Sequence, residues 1–134
     1  MKRKPFIADR ALVQSLELRS HPIPCNKGGT LFNQGDSPTG LYILKSGEGD
    51  LIMESAVGRP VMCVHAKAGS VLGLPAVIAN EPYTMTALVH GGSEVRFVPR
   101  SDFEEIMQAE PSLYPRLLPS LAKYRIALIS DLAL

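Results

Sequence analysis

From Glu17 to Val98 the apolar runs of this chain are short, and glycine or proline cuts them about every ten residues. That punctuation constrains the fold more than any other feature, because it leaves no room for long helices and suits short strands joined by turns. Alternation is clearest in LYILKSGEGDLIM, where Leu41, Ile43, Leu51 and Met53 share a parity that one sheet face would bury. GlyArgPro at 58–60 reads as a hairpin turn leading into VMCVHA, and Val95, Phe97 and Val98 close the β region. The chain has 134 residues and 46% apolar content, enough for one domain with its own core.

The two ends read differently. Phe6, Ile7, Ala11, Leu12 and Leu16 recur at helical spacing and predict a short helix over 6–16. Ser101 and Glu104 have capping-box spacing, so a helix is expected to start at SDFEEIM. Pro111, Pro115 and Pro119 forbid one continuous helix through 111–119. A helix can restart with Pro119 in its first turn and run through LAKYRIALISDLA. Tyr114, Leu117, Leu121, Tyr124 and Leu128 are spaced as a heptad, either packing on the β region or forming a dimer seam through Leu117, Leu121, Tyr124 and Leu128. The expected division is 1–16 helix, 17–98 β, and 101–134 terminal helices, in one domain.

Several function classes drop out. Net charge is +1, so no global field draws the chain to nucleic acid or membrane, and Lys2, Arg3 and Lys4 read as a solvated end. No signal peptide is visible, and the longest stretches without Asp, Glu, Lys or Arg are too short to span a bilayer, so a cytoplasmic location is expected. Cys25 and Cys63 are too few for a disulfide framework and read as small core residues. His21, His65 and His90 are isolated in the sequence with no surrounding acid–histidine cluster, so no metal site is expected. Asp36 after Gly35 reads as a turn residue, and Ser55, Ser70 and Ser93 lie in turn-like contexts without a nearby base. Nothing in the sequence calls for an enzyme.

Three stretches carry a family resemblance: GGTLFNQGDSPTGLYILKSGEGDLIM, GSVLGLPAVIANEPYTMTA and SEVRFVPRSDFEEIMQAEPSLYPRLL. Together they resemble the cyclic-nucleotide-binding domain of the bacterial catabolite-activator and fumarate–nitrate regulator superfamily. Gly29, Gly35, Asp36, Tyr42 and Gly47 fall at that family's turns. The resemblance implies a mainly β fold, an eight-stranded jelly-roll (double-stranded β-helix) barrel flanked by a short N-terminal helix and C-terminal helices. The second stretch is similar to the family's phosphate-binding cassette, with its short helix around Pro75–Ala79.

The departures from the family fall on the ligand. Where the family's cassette has a glutamate that accepts from the ribose hydroxyl, this chain has Leu74. Where it has an arginine that pairs with the cyclic phosphate, this chain has Tyr83, and Thr84 stands where a phosphate-contacting serine or threonine is usual. No Lys or Arg lies between Lys67 and Arg96. A buried phosphate left without its bidentate arginine costs about 3–5 kcal/mol, roughly a hundred- to several-thousand-fold in affinity. The resemblance therefore implies a regulatory domain that is not an enzyme and takes no cofactor. Its small-molecule effector is not a tightly bound cyclic AMP or cyclic GMP. The expected pocket is lined by Gly73, Leu74, Ala76, Tyr83, Thr84 and Met85, closed by Tyr124, Leu128 and Ile129. Tyr83 either donates to a ligand or fills its space. The alternatives are a ligand-free assembly module and a weak cyclic-nucleotide binder. The expected partners are a second copy through the C-terminal helix and such an effector. Direct contact with nucleic acid or membrane is not expected, because no helix-turn-helix is visible before Leu134.

Overall fold

A computed structural model describes residues 2–3 and 9–117. The elements in chain order are β1 (Lys2–Arg3), α1 (Arg10–Glu17), β2 (His21–Ile23), β3 (Gly29–Phe32), β4 (Gly40–Ser46), β5 (Glu48–Glu54), β6 (Pro60–Lys67), β7 (Val71–Leu72), α2 (Leu74–Ala79), β8 (Thr86–Val89), β9 (Glu94–Pro99) and α3 (Arg100–Ala109), followed by a 3-10 turn at Pro111–Leu113. Among the described residues, eight strands form two antiparallel sheets of four, ordered β6-β5-β8-β3 and β2-β9-β4-β7, and β1 adds a short parallel edge to β6. The eight strands of the expected jelly roll are thus all present, with β1 as an addition to them.

Two cores follow from this layering. Between the sheets lie Phe32, Leu51, Met53, Met62, Val64 and Ala87 from one side, and Leu44, Leu72 and Val95 from the other. On the outer face of the second sheet, Leu41, Ile43, Val71 and Val98 meet Leu12 and Leu16 of α1 and Phe103, Ile106 and Met107 of α3. Each fully buried leucine or isoleucine contributes about 1.5–3 kcal/mol of apolar transfer. The expectation that Leu41, Ile43, Leu51 and Met53 share one face is corrected. All four are buried, but β4 and β5 belong to different sheets, so the same parity points one pair at the helices and the other between the sheets. Strand β4 has Leu41 and Ile43 on one side and Leu44 on the other, all 0% exposed.

The helix ends depart from the sequence reading by a few residues. Helix α1 begins at Arg10 because Asp9, extended at ψ 135°, accepts from the Leu12 amide at 3.1 Å and caps the first turn. The positions 6–8 expected inside that helix precede this cap, and Phe6 and Ile7 lie outside the described residues. The capping box at Ser101 does not form. Pro99 precedes the first turn of α3, the Arg100 amide is satisfied by Thr39 O at 3.0 Å, and Glu104 accepts from Arg100 Nε at 3.1 Å. Cys63 is also no core residue: it shares the outward parity of β6 between buried Met62 and Val64. Cys25 is buried, which pushes its thiol pKa up.

The hairpin and the C-terminal break lie where the residues place them. Strands β5 and β6 are joined through Ser55–Arg59, closed by Ser55 N to Arg59 O at 2.8 Å. Helix α3 ends at Ala109, two residues before Pro111. Helices α1 and α3 are clamped by Arg19, which bonds Asp102 and Glu105, and by Ser15 to Glu110 at 2.8 Å. These exposed pairs orient the helices, and the burial of their apolar faces supplies most of the stability.

Candidate functional site

The cassette runs from the turn at Gly69 to β8. Gly69 N bonds Leu44 O at 2.8 Å and Leu44 N bonds Ser70 O at 3.0 Å, which extends the β4–β7 pairing to the start of the loop. At Gly73 the backbone takes φ 87°, a left-handed value that favours glycine, and turns β7 into α2. A side chain there would also crowd Tyr83, whose Cε1 would lie 3.0 Å from the added Cβ. Pro75 sits in the first turn of α2, where its missing N–H costs no helical bond. Asn80 ends the helix in the left-handed region at φ 54°.

Tyr83 occupies the centre of this loop. Its hydroxyl donates to Gly40 O at 2.5 Å and accepts from Gly40 N at 3.2 Å, with Thr39 Oγ1 at 3.4 Å. The ring stacks on Phe32 at a centroid separation of 3.9 Å and an interplanar angle of 19°. Phe32 in turn leans on Tyr42, and Tyr42 on Phe97. The backbone of Tyr83 is held as well, its N–H to Asp36 O and its C=O to Gly35 N. Asp36 accepts from Asn33 N at 3.1 Å and so does turn work. Burial raises the pKa of the Tyr42 phenol, and nearby Tyr83 adds to the effect.

The structure brings most of the expected pocket residues together, but as packing. Leu74, Ala76, Tyr83 and Met85 are 2–4% exposed. Leu74 points to the helix-side core, and Ala76, Tyr83 and Met85 to the core between the sheets. A Cβ added at Gly73 would meet both Tyr83 and Phe32. Thr84 is exposed. Tyr124, Leu128 and Ile129, expected to close the pocket, lie outside the described residues, as does Leu121 of the expected seam. Leu117 is 2% exposed within this single chain, packed in the helix-side core, while Tyr114 is 52% exposed.

Two features were missed in the sequence. Gly40, in β4, is the anchor of the Tyr83 hydroxyl, and a Cβ there would collide with the carbonyl of Val98. Arg100, outside the cassette stretch, reaches the end of α2, with Nη1 donating to Asn80 Oδ1 at 2.5 Å. The cassette does meet a cation, therefore, but at the C-terminal end of its helix, where a positive charge complements the terminal carbonyls.

The histidine reading is corrected. His65 and His90 are not isolated: both lie against Glu48 and Asp50 on the outer face of the first sheet. They are far apart in sequence, but the β5–β6 and β5–β8 registers bring them together. Among the described residues no group of three or more His, Cys, Asp or Glu is placed to hold a metal ion. No helix among them is long and apolar enough to cross a membrane.

Residues 22–110 match the model of the cyclic nucleotide-binding domain family. No curated protein matches the sequence. Among solved structures, the chain is similar to the catabolite activator protein of Thermus thermophilus, with a TM-score of 0.78 and 19% identity over 94% of this chain and 59% of that one. It is similar to the c-di-GMP-responsive global regulator CLP of Xanthomonas campestris, with a TM-score of 0.70 and 17% identity over 92% of this chain and 60% of the other. The sensor domain of the transcriptional regulator DNR from Pseudomonas aeruginosa gives a TM-score of 0.65 and 20% identity, covering 93% and 82%. The chain thus spans about three-fifths of the first two proteins. At these identities the likeness is one of fold.

Proposed function

This chain belongs to the cyclic nucleotide-binding domain family, and from that membership we propose that it is a non-enzymatic regulatory domain whose cassette does not hold cyclic AMP or cyclic GMP tightly. One observation carries the reading: Tyr83 spends both the donor and an acceptor site of its hydroxyl on the Gly40 backbone while its ring is stacked on Phe32. A group so engaged offers no charge to a phosphate, and freeing it would expose the Gly40 amide and carbonyl at a cost. Arg100, the cation that meets the cassette, is tied to Asn80 at the C-terminal end of α2 and to Glu104.

The regulatory part of the proposal rests on the family and on its longer neighbours, which are described as an activator protein and a global regulator. A signal at the cassette would act by shifting how α3 and the segment after it sit against the β4 face, as a population change. Pairing with a second copy through the C-terminal segment, and reaching DNA only through a separate domain, extend the same reading. A ligand-free assembly module is the second reading. It is favoured by the burial of Leu74, Ala76, Tyr83 and Met85, which leaves these side chains inside the fold.

A thermal-shift titration with cyclic AMP and cyclic GMP tests the proposal. A ligand at a hundredfold excess over Kd stabilises by about 2.7 kcal/mol, several degrees in Tm. We expect no shift in the native chain at micromolar nucleotide. Micromolar stabilisation of the native chain would overturn the reading. Concentration-dependent self-association unaffected by any small molecule would favour the assembly module.

A further inference from the structure

The first sheet carries on its outer face a set of four titratable side chains that the family's ligand site does not use. Glu48 and Asp50 project from β5, His65 from the facing position on β6, and His90 from the residue after β8. His65 Nε2 lies 3.2 Å from Glu48 Oε1, and its Nδ1 lies 3.4 Å from Asp50 Oδ1. His90 Nε2 lies 3.1 Å from Asp50 Oδ2, and its Nδ1 lies 3.9 Å from Glu48 Oε2. Acid and imidazole therefore alternate around the cluster, His65 having a carboxylate within 3.4 Å of both its nitrogens and His90 having one at hydrogen-bond distance and the other at 3.9 Å, close enough only for charge attraction.

That arrangement has a protonation requirement. A carboxylate can only accept, and a neutral imidazole has one N–H and one lone pair. With neutral histidines, the His65 ring can donate to one acid and must turn a lone pair toward the other, while His90 can only donate to Asp50. With both imidazoles protonated, the three nitrogens at hydrogen-bond distance are all donors facing an acceptor, and two positive charges meet two negative ones. We propose that Glu48, Asp50, His65 and His90 form a proton-dependent staple that fastens β5, β6 and the end of β8 together when both histidines are charged.

The surroundings leave this balance in place. Lys67 on β6 pairs in register with Glu48, and Lys2 and Arg3 of β1 lie beside Cys63 and Val64 on the far side of β6. Lys27 belongs to the loop against which Gly91 packs, and Glu94 opens β9 three residues after that glycine. Lys67 and Lys27 oppose further positive charge, but the two carboxylates are in direct contact with the rings, and Coulomb energy falls with distance. The Asp50 and His65 side chains are 20% and 19% exposed, against 53% and 50% for Glu48 and His90, so the outer half of the ring is screened by salt and the inner half less so. The strand so fastened is the one through which the cassette returns to the sheet, and the His90 amide itself bonds Glu48 O at 2.9 Å.

The sign follows from the form that completes the ring. The staple is present where the imidazoles carry both N–H groups and is lost as rising pH removes a proton from them, while strong acid removes it again by protonating the carboxylates.

The test is Tm against pH from 5.5 to 8.0 at low salt, for the full chain and for His65→Gln/His90→Gln, Asp50→Asn and His21→Gln. Glutamine and asparagine keep hydrogen-bonding capacity without titrating in this range, and His21 lies in the other sheet as a control. We expect the native chain and His21→Gln to lose about 3 °C more than the double-histidine variant across this range, with Asp50→Asn in between because Glu48 still meets both rings, and the excess to shrink in high salt. Native and double-variant curves that run parallel would overturn the proposal. So would a pH slope undiminished in Asp50→Asn, or one abolished by His21→Gln alone.

Discussion

Tyr83 sits where the family's phosphate-binding arginine was expected, and its chemistry is spent inward. Replacing it with phenylalanine keeps the stack on Phe32 but strands the Gly40 amide and carbonyl, so Tyr83→Phe is expected to cost about 1–2 kcal/mol of stability in urea unfolding, without creating nucleotide affinity. A stability loss below a few tenths would mean that the hydroxyl bonds contribute little. The sequence showed that the cassette lacked a lysine or arginine, because that follows from residue types within one short stretch. It did not show what replaced the ligand, since the partner of Tyr83 lies 43 residues earlier. The histidine ring was hidden for the same reason: His65 and His90 find their acids through strand register, which spacing along the chain does not encode.

At the scale of elements, local chemistry was the better guide. The hairpin through Ser55–Arg59, the short helix α2 and the break before Pro111 follow from turn residues and proline, which act within a few positions. The helix starts were read less well because a cap is a competition between neighbours. At α3 the helix starts one residue before the serine expected to cap it, with the Arg100 amide held by the backbone of Thr39, a residue from before β4. At α1 the cap is Asp9, whose carboxyl pKa is lowered first by the Leu12 amide and also by Arg116. Its contribution is therefore present above the ordinary carboxylate range and lost as pH falls through the lowered value. Asp9→Ala should lower Tm at neutral pH and flatten the acid limb of the Tm–pH profile, while Asp9→Ser should recover part of the neutral-pH loss through its own capping hydroxyl. An Asp9→Ala chain with an unchanged acid limb would rule this out.

Over the whole molecule, the two cores share one wall. Leu44 belongs to the core between the sheets and Leu41 to the core under the helices, both from β4. Either residue changed to alanine is expected to cost about 2–4 kcal/mol. Each should shift one common transition, seen alike in tyrosine fluorescence from the inter-sheet core and in helical circular dichroism. Separate midpoints for the two probes would show that the layers melt independently. The fold class was legible in the sequence because strand spacing and turn residues recur along its length, whereas the division of β4 and β5 between two sheets depends on topology, to which hydrophobic parity is blind.

The two-sided burial of β4 also bears on how such a sequence can change over generations. Strand β5 alternates buried and partly or fully exposed positions, so substitutions at Ile52 or Glu54 leave the core side chains beside them in place. From Leu41 to Leu44, by contrast, no side chain is fully solvent-exposed. Drift there is confined to exchanges of similar volume, and the divergence of the cassette is written over a stretch with almost no freedom to follow it.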